Sequence, residues 1–394
     1  MPDIALDWLG LLIRWVHLIT GIAWIGASFY FVWLDNSLLA PRRERDAKEG
    51  VGGELWAVHG GGFYHVQKFR VAPDELPSPL HWFKWEAYWT WMSGFALFVV
   101  VYYANARSYM IDPAVAAIEP WQAIATSVAF LAGGWLFYDQ LCKRLGLTRE
   151  KTIAIAMVVF IAICAFVLSK LLSGRAVYLQ VGAMLGTIMA ANVLAVIIPS
   201  QRQLVTSKER GEAPDPVHGL RGKQRSVHNN YFTLPVLFTM ISGHYPATWG
   251  HPQAWAVLIA VLLLAAYVRH FFNLRHRGRT VWAIPASAGV AALALAILIT
   301  PRAPDAAAAP SFARVAQIVE QRCAGCHAQA PTQPGFAVAP KGLMLDSPER
   351  IVAASRQIHE QTVATRAMPI GNLTGMTDAE RAQLGAWIAA GSPR

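Results

Sequence analysis

Cys323-Ala324-Gly325-Cys326-His327 is the run of residues with the most explicit chemistry in this chain. Two cysteines two residues apart, with histidine next, form the attachment pattern of a c-type haem. The thiols make thioethers with the haem vinyl groups, and His327 offers one axial nitrogen to the iron. Met368, beside Pro369, stands downstream at a spacing usual for the second axial ligand of a small cytochrome. A thioether in that place raises the reduction potential. Met344 and Met376 are rival ligands, but Met344 lies in an apolar run and Met376 precedes a helix cap. A stray cysteine pair or a redox dithiol is the competing reading, and the flanks oppose it. Residues 311–322 read as a short amphipathic helix leading into the motif. Thr377-Asp378-Ala379-Glu380 is a capping box opening a last helix that carries Leu384, Trp387 and Ile388. Helix, motif, ligand loop and helix predict a small class I-like cytochrome c domain over 311–394. Haems of this kind are attached outside the bacterial cytoplasm, so the motif fixes a compartment for this end of the chain.

The remainder must hold something that delivers electrons. The 394 residues are 55% hydrophobic and only 15% charged, with 15 tryptophans, as in a membrane protein with aromatic interface belts. Apolar runs near bilayer-crossing length occur at about Leu9–Leu34, Ala87–Ala104, Trp121–Leu141, Thr152–Leu172, Val177–Ile198, Val227–Ser242, Ala254–Phe272 and Val281–Thr300. Eight spans predict an all-α polytopic membrane bundle over residues 1–300. An Ala/Pro-rich linker at 301–310 follows.

The net charge of +10 invites a nucleic-acid reading, but its placement speaks to topology instead. Lys and Arg crowd the odd-numbered connections, whereas the even-numbered ones hold only Arg107, Lys170 and Arg175. The positive-inside rule then makes the odd connections cytoplasmic and, with eight spans, puts both termini outside. Haem attachment demands the same side for the C-terminus. Asp3 and Asp7 precede a first run too long for a signal core, so no cleavable signal is expected. Cys142 and Cys164 read as small buried residues.

Ionisable residues within a bilayer are costly and point to function. His17 lies about 13 Å along the first span at 1.5 Å per residue. It reads either as a hydrogen-bonded core histidine or as a ligand to a b-type haem or metal, with His244 a conceivable partner. His270 reads as part of an interfacial basic cluster with Arg269, Arg275 and His276. Two loop segments offer substrate chemistry. One runs from Glu54 to His65 and, farther on, from His81 to Glu86, placing Lys84 and Glu86 beside Trp82 and Trp85. The other is Arg225-Ser226-Val227-His228-Asn229-Asn230-Tyr231, following Asp215 and His218. A helix start with Arg, His and two Asn suits a planar, anionic, amide-rich ligand.

Four blocks resemble the bacterial membrane-bound urate oxidases, or urate hydroxylases. They are Trp15–Gly26 (WVHLITGIAWIG), Val58–His65, Leu80–Trp91 and Ser226–Tyr245 (SVHNNYFTLPVLFTMISGHY). The likeness runs from about Trp8 to the last residue. It implies a multi-span domain fused to a cytochrome c in the inner membrane. It also implies conversion of urate to 5-hydroxyisourate with water, without direct peroxide production. Electrons would pass through the covalent haem to a soluble or membrane cytochrome c or a respiratory oxidase. Arg225, His228, Asn229, Asn230, Tyr231, Lys84 and Glu86 are the residues whose types suit urate. The rival class is an electron-transfer membrane anchor serving a separate dehydrogenase. A transporter with a redox-sensing tail ranks third, and a haem–copper oxidase would need an adjacent His-His pair.

Overall fold

The computed structural model describes residues 2–300, 309–334 and 336–394, with side chains from residue 8 onward. Of the Ala/Pro linker, 301–308 lie outside the described residues. The fold is mostly helical. Its longer elements are α1 (Pro2–Ser37), α2 (Trp85–Leu97), α3 (Pro120–Leu145), α4 (Glu150–Leu168), α5 (Gly174–Asn192), α6 (Ile198–Glu209), α7 (Pro216–Ile241), α8 (Ala254–His276) and α9 (Ala283–Ile299). In the C-terminal segment come α10 (Phe312–Val319) and α11 (Asp378–Ala389).

Each of the eight apolar runs falls on a helix. Four stretches are long and apolar enough to cross a membrane: Trp8–Ser37, Glu150–Leu168, Gly174–Glu209 and Ala254–His276. The first half of α7 is too polar to qualify, since it carries Arg221, Lys223, Arg225 and His228. α9 is apolar but has only 17 residues. The stretch Gly174–Glu209 passes from α5 to α6 through a π turn at Val193–Ile197. Pro199 lacks the N–H that would bond the Ala195 carbonyl, and the helical register loosens just there.

α5 is the axis of the bundle. Val181, Met184, Leu185 and Ile188 are at most 1% exposed, and α5 packs on both α3 and α7. α1 lies outside, held mainly by α2, with Leu18, Ile19 and Ile22 more than half exposed.

The expectation of a loop around Glu54–His65, and of an all-α fold, is corrected by a β-hairpin. Strands β1 (Val51–His59) and β2 (Gly62–Phe69) pair antiparallel. Gly60 and Gly61 both have positive φ, +58° and +82°. That is the two-residue turn whose twist matches a hairpin, and glycine adopts it without a Cβ penalty. Glu54, 3% exposed, faces inward and pairs with His65 across the strands.

The C-terminal segment has its own hydrophobic cluster, built on Val315, Ile318, Val319, Leu345, Ile351, Ile358, Leu384 and Trp387. The capping box expected at α11 is present: Thr377 Oγ1 accepts the Glu380 N–H at 3.2 Å, and Glu380 accepts the Thr377 N–H at 2.8 Å. This segment touches the bundle backbone to backbone. A Cβ at Gly371 would meet the Ser108 carbonyl oxygen, and one at Gly250 would meet that of Thr365.

Candidate functional site

Four places in the molecule gather chemistry. The first is the cysteine motif. Cys323 is buried, Cys326 half-buried, and burial pushes the Cys323 thiol up to about 12. The His327 N–H bonds the Cys323 carbonyl at 2.9 Å, closing the turn that places the three side chains. His327 Nδ1 lies 2.9 Å from the Leu343 carbonyl. A carbonyl only accepts, so Nδ1 carries the proton and Nε2 keeps its lone pair. A hydrogen bond of this kind orients a metal-ligating imidazole. The Met368 loop is fixed by its own N–H to Gln361 O at 2.9 Å and by Arg381 Nη1 donating to Met368 O at 2.7 Å. Met376, at 3% exposure, belongs to the hydrophobic cluster. Two thiols, an imidazole with a free lone pair and a thioether make a donor set that fits a c-type haem.

The second place is a buried polar network at the start of α7. Arg225, 4% exposed, donates from Nη2 to Asp139 Oδ1 at 2.9 Å and stacks on Tyr138 at 4.7 Å. Lys143 also reaches Asp139, at 2.7 Å. Asn192 Nδ2 donates to Tyr138 Oη at 3.1 Å and to Asn229 Oδ1 at 2.9 Å. Tyr138 donates in turn to His228 Nδ1 at 2.8 Å, so His228 Nε2 carries the proton and donates to Glu150 at 2.8 Å. On the other side of α7, Asn230 Oδ1 accepts from Arg269 and Asn273, both at 3.0 Å, and Tyr231 meets His270 at 2.8 Å. His270 thus joins Tyr231 rather than a purely basic cluster. The structure therefore divides the five between two networks: Arg225, His228 and Asn229 bond toward α3, α4 and α5, and Asn230 and Tyr231 bond toward α8. Lys84 lies 5.5 Å over Trp85. No hydrogen bond or ion pair joins Lys84 or Glu86 to either network among the described residues.

The third place surrounds His17. Its Nδ1 is 3.0 Å from the Thr90 carbonyl and 3.2 Å from Ser93 Oγ, so by the same argument Nε2 keeps its lone pair. A cavity of about 140 Å³ opens beside it, lined by Gly21, Trp24, Trp91, Gly94, Gly182 and Gly186 among others. That is less than half the roughly 300 Å³ at the lower end of sites for drug-sized ligands. His244 is exposed beyond the end of α7 and does not line this cavity. Among the described residues no three His, Cys, Asp or Glu gather to hold a metal ion. His17 is the one histidine among the described residues that lines this space.

The fourth place was missed in the sequence. A cavity of about 870 Å³ lies where the C-terminal segment meets the bundle. Three connections of the bundle line it, through Ser108–Val115, Phe166–Val177 and Trp249–Trp255; the C-terminal segment adds residues from Arg366 to Arg381. Its walls hold Arg175, Lys170, Arg366 and Arg381 against the carboxylates Asp112 and Asp378. Burial pushes the Asp112 carboxyl above its ordinary value. Arg175 Nε and Asn372 Oδ1 are buried without partners. The available signal was the scarcity of charge in the even-numbered connections. Lys170 and Arg175 are two of the three basic residues there.

The model of a family described as urate oxidase N-terminal matches residues 3–300. No curated protein and no solved structure matches the chain.

Proposed function

We propose that this chain, which belongs to the urate oxidase N-terminal family, oxidises urate to 5-hydroxyisourate at a membrane and sends the electrons out through a covalent haem in its own C-terminal segment. The observation that carries the reading is His327. Its imidazole is held by Leu343 O with Nε2 free, beside Cys323 and Cys326, in the same chain as a urate oxidase domain.

The eight helices would span the bilayer, with the C-terminal segment and both termini outside and the hairpin inside. Four apolar helices and the paired charges at the hairpin end support this topology. Asp35 there binds both Lys68 and Lys223, drawing the first and fifth connections together.

The reaction balances as urate plus water giving 5-hydroxyisourate, two electrons and two protons. A water oxygen bonds to C5 of the purine. Cys323, Cys326, His327 and Met368 are the residues that would hold the haem, and it would supply a one-electron acceptor for the two electrons released. From there the electrons would pass to an external cytochrome c or a respiratory oxidase rather than directly to oxygen. In the polar network of α7, Tyr138, His228 and Glu150 form a continuous hydrogen-bonded path. Glu150 is half exposed at its outer end. Arg225 holds that path by anchoring Asp139 and by stacking on Tyr138.

The test is anaerobic addition of urate to the purified, oxidised full chain while the haem bands are watched. Two haem equivalents should be reduced per urate consumed. An unchanged spectrum would reject the reading and favour an anchor subunit serving a separate dehydrogenase.

A further inference from the structure

The cavity between bundle and C-terminal segment has the chemistry that urate requires. Urate at neutral pH is a planar anion with carbonyl acceptors and N–H donors around its rim. A site for it needs a cation, amide-like partners and a flat apolar face. Arg175 supplies a guanidinium that lies 5.0 Å over Tyr109 and 6.0 Å over Tyr102, with Nε unpartnered. No carboxylate pairs with Arg175 or Lys170 among the described residues, whereas Arg366 is 3.0 Å from Asp378. Asn372 Oδ1 is a buried acceptor without a donor. Tyr109, Trp249 and Trp255 provide aromatic walls. At about 870 Å³ the space lies inside the range of roughly 300–1,000 Å³ usual for small-molecule sites.

Its position matters as much as its lining. Ala367 and Pro369, which flank Met368, both line it. A purine seated there would lie against the ligand loop of the proposed haem. The polar network of α7 is tied instead to Lys143, in the last turn of α3, and Glu150, in the first turn of α4. An electron leaving from that end would have to traverse an apolar layer about 30 Å thick.

We propose that urate binds and is oxidised in this interface cavity, with Arg175 holding the anion, Asn372 accepting from a purine N–H, and Asp112 taking up a proton as water adds to C5. The inference rests on the urate reading and supplies its substrate site. Two protons are released per turnover: the Asp112 carboxylate accepts the first and the second leaves to water, while the two electrons go to the proposed haem. The groups facing Asp112 are Arg381 and Asn372 from the C-terminal segment, and the Ala114 N–H, which bonds its Oδ1 at 2.9 Å. Lys170, Arg175, His251, Arg366 and Asp378 complete the charged or titratable lining.

The experiment uses purified full-length protein carrying its haem. Urate binding is measured by calorimetry on the dithionite-reduced form, which cannot turn over, and KM and kcat are measured by haem reduction. Arg175→Ala should weaken urate binding and raise KM at least tenfold, with the haem spectrum unchanged; Arg175→Lys should restore part of the loss. Asp112→Asn should lower kcat tenfold or more while binding persists. Should Arg175→Ala fail to fold, Asn372→Ala and Lys170→Ala give the same readout with smaller shifts. If wild type binds and oxidises urate and these variants match it, the site is wrong and the urate reading survives. If wild type neither binds urate nor is reduced by it, the functional reading itself fails.

Discussion

The two ends of the helical bundle solve the problem of charge in opposite ways. At the hairpin end, charges are matched. Asp139 is bracketed by Arg225 and Lys143, Glu54 by His65 and the Arg42 N–H, and Asp35 by Lys68 and Lys223. At the end that meets the C-terminal segment, Arg366 pairs with Asp378, but no carboxylate pairs with Arg175 or Lys170 among the described residues, and burial still raises the half-buried Asp112 despite the Ala114 N–H, Arg381 and Asn372 around it. Matched charge is structure, because a buried ion pair costs several kcal/mol to break and offers a ligand little. Unmatched charge in a cleft is destabilising unless something arrives to meet it, which is why such groups mark functional sites.

The largest effect on this contrast should come from removing the proposed electron exit. Replacing both Cys323 and Cys326 by Ala should abolish covalent haem and all urate-dependent reduction. Haem staining of the denatured protein checks the first and anaerobic spectra the second. Staining that persisted would mean the motif does not carry the group.

Next comes Arg225→Ala. It strands Asp139, which is 8% exposed at its side chain, beside a single remaining lysine. Loss of one partner of a buried pair costs about 3–5 kcal/mol. Thermal unfolding in detergent should fall clearly, while KM for urate in the surviving fraction stays within about twofold. A large rise in KM with unchanged stability would return the substrate site to α7 and reverse the contrast.

Gly371→Ala should act more weakly and only at the interface. Gly371 has φ +57°, and a Cβ there would meet the Ser108 carbonyl. Left-handed backbone alone costs an alanine roughly 1–2 kcal/mol. The substitution should loosen the docking of the C-terminal segment, speed its proteolytic release and slow haem reduction by urate, with the haem spectrum intact. Proteolysis at the wild-type rate would show that the two surfaces are not pressed together there.

Much of this architecture was legible in the sequence because it follows from short-range rules. Each apolar run became a helix, the capping box at Thr377 formed as read, and Thr377 and Trp387 took the places that local pattern assigns them. The hairpin was legible too, since Gly60-Gly61 between β-branched and aromatic residues is a turn signal, but the His and Trp content drew attention to ligands instead. The interface cavity was not legible. Its lining comes from three connections and a segment more than a hundred residues later, and no local pattern ties Arg175 to Asn372. Arg225 is the converse case: residue type announces a cation, and only packing reveals that Asp139 is its partner. Lys84 and Glu86 share the ligand reading by type alone, and among the described residues no hydrogen bond or ion pair joins them to α7.

The finest test of the contrast is its pH dependence, because the two ends should respond with opposite signs. Glu54 is held below the usual carboxylate range, first by its hydrogen bond with His65 and then by the Arg42 N–H. A carboxylate with a depressed folded value contributes stability above its unfolded value and loses it as pH falls through the folded one. The hairpin should therefore loosen on acidification below about pH 4, the ordinary range for Glu. Asp112 is shifted upward by burial, so its folded state holds a proton more tightly than the unfolded chain does. Its ionisation opposes docking, and the interface should weaken as pH rises from the ordinary Asp value, near 4, through its raised one. Amide exchange measured across that range should show the hairpin gaining protection, and residues 108–115 and 366–376 losing it, as pH increases. Asp112→Asn should flatten the second trend and leave the first untouched; trends of the same sign at both ends would mean that the charges at the interface are as well matched as those at the hairpin.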